Sequence, residues 1–367
     1  MRILLISLYC SILSFSSLSA DVPLEAYGKL PEKSLLVISP SGNSIAYRDT
    51  SNSRDLVVIT DILKGKLLAA VNVASVKPNN MYFVDDNTLI FVASETRTIR
   101  GYSGKHEISA AFAYKVDTKK MHQLLIQGKG IYKGQSQLGR ILGISPDKKF
   151  AYMPAYADET NYNLYRVRLD KKFRPKAIDR GKSDVIDFFL DGEGNVIARE
   201  RFSNKFNRHT IESKLSGNWE VVFREETEYP TKSFSGITPD KKQLVMLATN
   251  EQTGRWAYYT LSLVDGAVKG PVFSHKNKDV EVVLTDIQRV VHGVRYSGFT
   301  PTYEFFDKKL NARMRGIKKA MPNNSFTITD YSPDWGKDYF LYGRRRKFWR
   351  LSDVCKRLVT ISGWTEA

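Results

Sequence analysis

The chain has 367 residues, 42% of them hydrophobic and 12% aromatic, with a formal net charge of +17 and two cysteines. So much apolar content excludes an intrinsically disordered chain, and two cysteines exclude a disulfide-stapled scaffold. The positive charges fall largely in turns such as Lys64-Gly65-Lys66, Lys119-Lys120, Lys171-Lys172 and Lys308-Lys309, so a solvated rim is expected, and no nucleic-acid partner.

Residues 1–20 read as a secretory signal peptide. Arg2 precedes an apolar core at 3–13, and Ser16-Ser17-Leu18-Ser19-Ala20 offers a cleavage point before Asp21. Leu18 is bulkier than the small residue usual at that place. The apolar run is short for a membrane span, the alternative being an uncleaved anchor, and no other long apolar run follows it. The expectation is a periplasmic or secreted protein with no membrane span after cleavage. Cys10 leaves with the signal, so Cys355 alone remains and no intramolecular disulfide can form.

From 21 to 342 one pattern recurs. Ser39-Pro40-Ser41-Gly42 leads into Ser44-Ile45-Ala46-Tyr47, and then Asp55-Leu56-Val57-Val58-Ile59-Thr60 turns at Lys64-Gly65-Lys66 into Leu67-Leu68-Ala69-Ala70. Val84-Asp85-Asp86-Asn87 precedes Thr88-Leu89-Ile90-Phe91, with Phe112-Ala113-Tyr114-Lys115-Val116 further on. Ser145-Pro146-Asp147-Lys148 opens Lys149-Phe150-Ala151-Tyr152, followed by the alternating stretch 163–170. Leu190-Asp191-Gly192-Glu193-Gly194-Asn195 precedes Val196-Ile197-Ala198. Thr238-Pro239-Asp240-Lys241 precedes Gln243-Leu244-Val245-Met246, with Trp256-Ala257-Tyr258-Tyr259-Thr260-Leu261 behind it. Leu284-Thr285-Asp286-Ile287-Gln288 leads into Arg289-Val290-Val291-His292, then Tyr303-Glu304-Phe305-Phe306, and Ser332-Pro333-Asp334-Trp335 comes before Asp338-Tyr339-Phe340-Leu341.

The turn chemistry is local. Proline fixes φ at the first turn position, Asp or Ser bonds its own backbone, and Gly or Lys closes the hairpin. Period-two alternation over five to seven residues marks half-buried strands. Two such hairpins per anchor make a four-stranded sheet. Anchors at 39, 84, 145, 190, 238, 284 and 332 are 45, 61, 45, 48, 46 and 48 residues apart. That period points to an all-β, seven-bladed β-propeller over 21–342. No helical periodicity of convincing length shows in this body, and no internal domain boundary.

The second step is longer than the rest. Its surplus lies in 96–107 and 127–140, both rich in glycine and basic residues. Extended loops on a propeller often line the face that binds something, so Arg97, Arg100, Tyr102, Lys105 and His106 are the candidate peptide-contacting residues. The plainer alternative is a long connector without a role.

Catalytic signatures are absent from the sequence. Ser44, Ser103, Ser136, Ser145 and Ser183 each have Gly two places before, and none has Gly two places after, which excludes the nucleophile elbow of α/β-hydrolases. His106, His122, His209, His275 and His292 are dispersed and fit no metal pattern. Glu225-Glu226 is an acidic pair expected in a turn. No cofactor and no metal are expected.

The Ser/Thr-Pro-Asp/Ser turns, the pairing of Ser145-Pro146-Asp147 with 163–170, and the segment 95–117 together resemble the N-terminal propeller of the prolyl oligopeptidase family of serine peptidases, in particular its exported dipeptidyl and acylaminoacyl peptidase-like members. The likeness spans roughly 23–342, and Tol-associated periplasmic propellers share the turn. In that family the propeller precedes an α/β-hydrolase domain that carries the Ser-Asp-His triad and admits only peptides that can reach it. The resemblance therefore implies a non-catalytic gating half, not an enzyme by itself, whose partners are peptide substrates. The alternative is a stand-alone periplasmic propeller that binds a protein or peptide. Some family members hold a substrate amine on a Glu pair, but Glu225-Glu226 lacks the surrounding motif and receives no such role.

After Tyr342 the pattern breaks. Gly343-Arg344-Arg345-Arg346-Lys347 begins a basic stretch over 343–367 in which seven Lys and Arg face only Asp353 and Glu366. Back-translation in the next frame permits an acidic loop and an alternating strand there, which suggests frameshifted sequence and a truncated parent. The rival is an anion-binding appendage. On either reading the last blade is expected to be incomplete, with loose packing where first and last blades meet.

Overall fold

The Ser/Thr-Pro turns close on themselves. Ser145 Oγ donates to Asp147 Oδ1 (2.6 Å), Asp147 Oδ1 accepts from Lys149 N–H (3.1 Å), and Phe150 N–H returns to Ser145 Oγ (3.0 Å). Thr238, Asp240, Lys242 and Gln243 repeat the arrangement, with the hydroxyl 2.5 Å from Asp240 Oδ1. The residue that closes the turn lies in the left-handed region at Gly42, Lys148, Gly194, Lys241, Arg289 and Trp335. This is a type I turn followed by a left-handed residue, a geometry that joins antiparallel strands in register.

The computed structural model describes residues 32–344, apart from 100, 129, 182, 183, 299, 321, 323, 334, 336 and 337. The signal segment, Arg100 and residues 345–367 of the basic tail thus lie outside the described residues. Those described belong to one compact unit that begins at Glu32.

Each blade is an antiparallel meander whose strands pair in chain order. Blade 1 (33–72), blade 2 (77–123), blade 3 (143–180), blade 4 (185–226) and blade 5 (233–273) have four strands each. Blade 6 (280–305) has three. A two-stranded hairpin, Asn324–Tyr331 with Asp338–Arg344, ends the described chain. The fold is an all-β propeller, but among the described residues it has six blades and not the expected seven.

The reason lies after Phe306. Where blade 6 would form its fourth strand, Lys308–Ala320 is helix α1. Asp307 Oδ1 accepts Lys309 N–H (2.7 Å) at its start, and Leu310, Met314 and Ile317 fall at helical spacing, with Met314 and Ile317 buried. This helix corrects the expectation of a body without helical periodicity. It takes up the residues a fourth strand of blade 6 needs, and at the seventh anchor the described residues form a two-stranded hairpin. That hairpin lies against blade 1, where Ile38 N–H donates to Asp330 Oδ2 (2.8 Å).

Packing follows from alternation. In strand Thr88–Arg97, Leu89, Phe91 and Ala93 face the cluster shared with blade 1, while Ile90 and Val92 face the one shared with blade 3. A blade between two others buries both faces, so both parities are apolar. Phe189, Ile211, Phe234 and Leu261 join blades 4 and 5, and Val245, Tyr258, Phe273 and Val291 join blades 5 and 6.

Candidate functional site

Strand order places the loops. The first and second strands of each blade join on one face, where the Ser/Thr-Pro turns lie. The second-to-third tips and the connectors between blades lie on the other, called here the connector face. Both surplus stretches of the long second step belong to it. Strands Thr88–Arg97 and His106–Lys115 pair without a break from Thr88↔Lys115 to Arg97↔His106. At ten residues each they are the longest of the described strands.

At that tip Arg97 is exposed and 3.2 Å from Glu95, Lys105 is exposed, and the His106 ring meets Ser103 O at 2.9 Å. Tyr102, 41% exposed, bonds through its hydroxyl to Tyr132 in the connector after blade 2. Tyr132 in turn donates to Glu159 Oε1 (3.2 Å) at the tip of blade 3. The Tyr102 hydrogen bond and the charge of Glu159 push the Tyr132 hydroxyl up from its ordinary pKa. A Cβ at Gly134 would meet the outer end of the Tyr102 ring, so the ring packs closely over this glycine. Of the five sequence candidates, Tyr102 is thus tied to a larger constellation, and Arg97, Lys105 and His106 belong to the same strand tip. Tyr132 and Glu159 escaped the sequence reading, although 127–140 had been singled out.

The connector is built in rather than slack. Leu124, Leu125, Ile131, Leu138 and Leu142 are buried, and Gln137–Leu138 pairs in parallel with strand His106–Lys115. Gln135 accepts Tyr156 N–H (2.6 Å) and donates to Gln137 O (2.8 Å), which fixes the segment against blade 3.

On the opposite face the axis is crossed. The turn of blade 6 is shaped by Asp286, whose Oδ1 accepts the N–H groups of Gln288 and Val290, each at 2.9 Å. Gln288 then reaches blade 3: Oε1 accepts Ile144 N–H (3.1 Å) and Nε2 donates to Ile144 O (2.8 Å). Arg289 reaches blade 4, donating to Asp187 Oδ1 and Phe188 O, both at 3.0 Å, with its guanidinium 4.6 Å above the Phe189 ring. Its carbonyl accepts Ile237 N–H (2.9 Å) from blade 5, where a Cβ on Gly236 would strike that oxygen. Ile287 packs on the cluster between blades 2 and 3. Blade 3 is no neighbour of blade 6 along the ring, so this contact passes over the centre. The Asp187 carboxylate, 5% exposed as a residue, also takes Arg140 Nη2 at 2.6 Å. The only sequence signal was the departure of Ile287-Gln288-Arg289 from the usual Pro-Asp-Lys.

Other reactive groups are held elsewhere. His209 is fully buried between blades 4 and 5, against Glu200 Oε1 (2.7 Å) and the edges of Phe202, Phe223 and Phe234. The expected turn at Glu225-Glu226 is strand Glu220–Glu226, so the two carboxylates point to opposite faces. Glu225 bonds Thr231 and Lys232, and Glu226 lies 3.8 Å from Arg208. Among the described residues no group of three or more His, Cys, Asp or Glu could hold a metal ion, and no helix is long and apolar enough to cross a membrane.

No family model and no curated protein matches this chain. Among solved structures it is similar to the β-propeller domain of the Trilobed protease from Pyrococcus furiosus, at 10% identity over 86% of this chain and 90% of that one, with a TM-score of 0.49. It is also similar to the acylaminoacyl peptidase of Pyrococcus horikoshii, at 11% identity over 85% of this chain and 50% of that one, TM-score 0.41. TolB from Acinetobacter baumannii matches at 14% identity over 65% of this chain and 56% of that one, TM-score 0.36. The chain spans only 44% of the length of the AtxE2 isopeptidase and 56% of that of TolB. At such distance no residue's role transfers.

Proposed function

We propose that this chain is a propeller without catalysis of its own that binds an extended peptide or protein segment on its connector face. The observation that carries this reading is the crossing by Gln288 and Arg289. A propeller that admits peptides along its axis needs a passage there, whereas in this chain blade 6 bridges to blades 3, 4 and 5 across it. The two surplus stretches meet on the opposite face, where Tyr102, Tyr132 and Glu159 set aromatic and acidic groups among the exposed Arg97 and Lys105. Amphipathic aromatics beside a cation suit a peptide partner, because they supply contact area at little entropy cost. Export through the signal segment is part of the same proposal and places the partner in the periplasm or outside the cell.

The test is retention of a random hexapeptide library on the immobilised full chain, with mass spectrometry of bound and unbound fractions. Peptides should be retained uncut, and Tyr102→Ala should weaken retention at least five-fold. No retention, or cleavage by the purified chain, would overturn the reading. Fusing 1–20 to a reporter active only outside the cytoplasm checks export.

A further inference from the structure

A second feature of the connector face is a cleft of ≈ 540 Å³ between the connector after blade 2 and the outer half of blade 3. Strand register puts its chemistry on one surface. Asn163 pairs with Arg180 and Tyr165 with Ala177 across the two outer strands, so Asn163 and Tyr165 share a face with Arg180 opposite. Arg174 closes the lower edge and the backbone of Gly130 the side, where Tyr165 Oη donates to Gly130 O (2.9 Å). Neither Arg174 nor Arg180 has an ion pair among the described residues, and both are exposed. Asp158 also lines the cleft, but four donors from Thr160 and Asn161 occupy its oxygens and hold it down near pKa 2.

The decisive atom is on Asn163. This residue is only 7% exposed, yet its Oδ1 has no hydrogen-bond partner among the described residues. A buried amide oxygen without a donor costs about 1–3 kcal/mol, so its persistence at the wall of a polar cleft marks a place for an incoming N–H. An N–H donor within reach of two uncommitted guanidinium groups is the pattern offered by the last residue of a peptide, with its amide N–H and terminal carboxylate. Guanidinium suits carboxylate because its fork matches both oxygens.

We infer that this cleft binds the C-terminal carboxylate of a peptide, with Arg180 and Arg174 on the carboxylate and Asn163 Oδ1 on the last amide N–H. The inference rests on the peptide-binding reading above and narrows it to one class of ligand end. Tyr165 orients Asn163 through the contact between its hydroxyl and Asn163 Nδ2 (3.5 Å).

The experiment uses the purified full chain and two pools of N-acetylated hexapeptides, identical except that one ends in a free carboxylate and the other in an amide. Affinity is read by fluorescence anisotropy, with glutarate as a competitor that has carboxylates and no amide. The acid pool should bind at least ten-fold more tightly, glutarate should compete poorly, and Arg180→Ala should remove the preference while thermal melting stays unchanged. Asn163→Ala should weaken the acid pool similarly, and if that variant melts early, Arg174→Ala serves in its place. Equal binding of both pools, unaffected by Arg180→Ala, would sink the carboxylate site and leave peptide binding standing. Strong competition by glutarate would make the cleft a site for small acids and overturn the peptide assignment. Binding of neither pool would defeat both readings.

Discussion

Between blades 2 and 3 the sheets meet through Ile90, Ala113, Leu125, Met153 and Leu169, each with essentially no exposure. At the other end of the chain, blade 6 meets blades 3 and 4 through an amide and a guanidinium, and the last hairpin meets blade 1 through the Asp330 carboxylate. The difference follows from what each junction must specify. Successive blades are close along the chain compared with its two ends, so non-directional apolar burial suffices. Ile38 and Asp330 are 292 positions apart, and their meeting bears the loop-closure entropy of nearly the whole propeller. Directional hydrogen bonds there select one docking where apolar surface would accept several.

The sharpest way to break this comparison is to remove one side chain from each region. Leu125 is fully buried in the connector, so Leu125→Ala should cost about 3–4 kcal/mol through lost burial and the cavity left behind. Urea titration followed by far-ultraviolet circular dichroism reads it as a lower midpoint. A loss under about 1 kcal/mol would mean that the connector is not part of the core.

Arg289→Gly comes next. Glycine suits the left-handed backbone there (φ 60°), so the substitution removes the guanidinium without adding strain. Asp187 keeps Arg140 as a partner, which limits the expected loss to about 2 kcal/mol, below the 3–5 usual when a buried pair loses one partner outright. Adding Asp187→Asn should not return that loss, because it also takes away the partner of Arg140.

Much of this architecture was legible in the chain itself. The Ser/Thr-Pro-Asp/Ser grammar is written in adjacent residues, and it located the turns of blades 1, 3 and 5 directly. Alternation then marked the strands behind them, and the long second step singled out both stretches that meet at Tyr102 and Tyr132. What escaped was non-local. Gln288 touches Ile144 at a separation of 144 residues, and no periodicity encodes such a contact. Helix α1 failed for another reason: its signal, Asp307 with Leu310, Met314 and Ile317, spans only three turns and interrupts a pattern of strands. The unpaired Asn163 oxygen looks in sequence like one polar residue in an alternating strand.

Acidity offers a reversible probe of the closing junction. Asp330 is partly covered by protein, and desolvation raises its pKa to about 7 against the opposing pull of Ile38 N–H. The fold therefore favours the neutral carboxyl. Its contribution is complete below the ordinary carboxylate pKa of about 4 and is lost as pH rises through about 7. Asp330→Asn keeps an oxygen for Ile38 N–H and cannot ionise. At pH 8 the variant should exceed the parent by up to about 4 kcal/mol, about 1.4 for each pH unit between the ordinary and the raised value, and near pH 4 the two should converge. Urea midpoints at both values check this, and a constant difference across the range would exclude Asp330 as the titrating group.

The smallest effect comes from placing the same change in an ordinary blade. Lys148 in blade 3 occupies the turn position that Arg289 occupies in blade 6, with φ of 57° against 60°. A side chain in that region costs about 1–2 kcal/mol, while glycine adds about 0.5–1 kcal/mol of entropy to the unfolded chain. Lys148 is exposed and has no hydrogen bond to its side chain among the described residues, so strain relief should prevail and Lys148→Gly should stabilise by about 0.5 kcal/mol. The same substitution at structurally equivalent turns is thus expected to act with opposite sign, because one side chain points to water and the other ties three blades together. Differential scanning calorimetry of the two variants reads this as a slight rise and a clear fall in Tm. Equal shifts would mean that Arg289 acts only through its backbone and that its bonds to Asp187 and Phe188 contribute nothing.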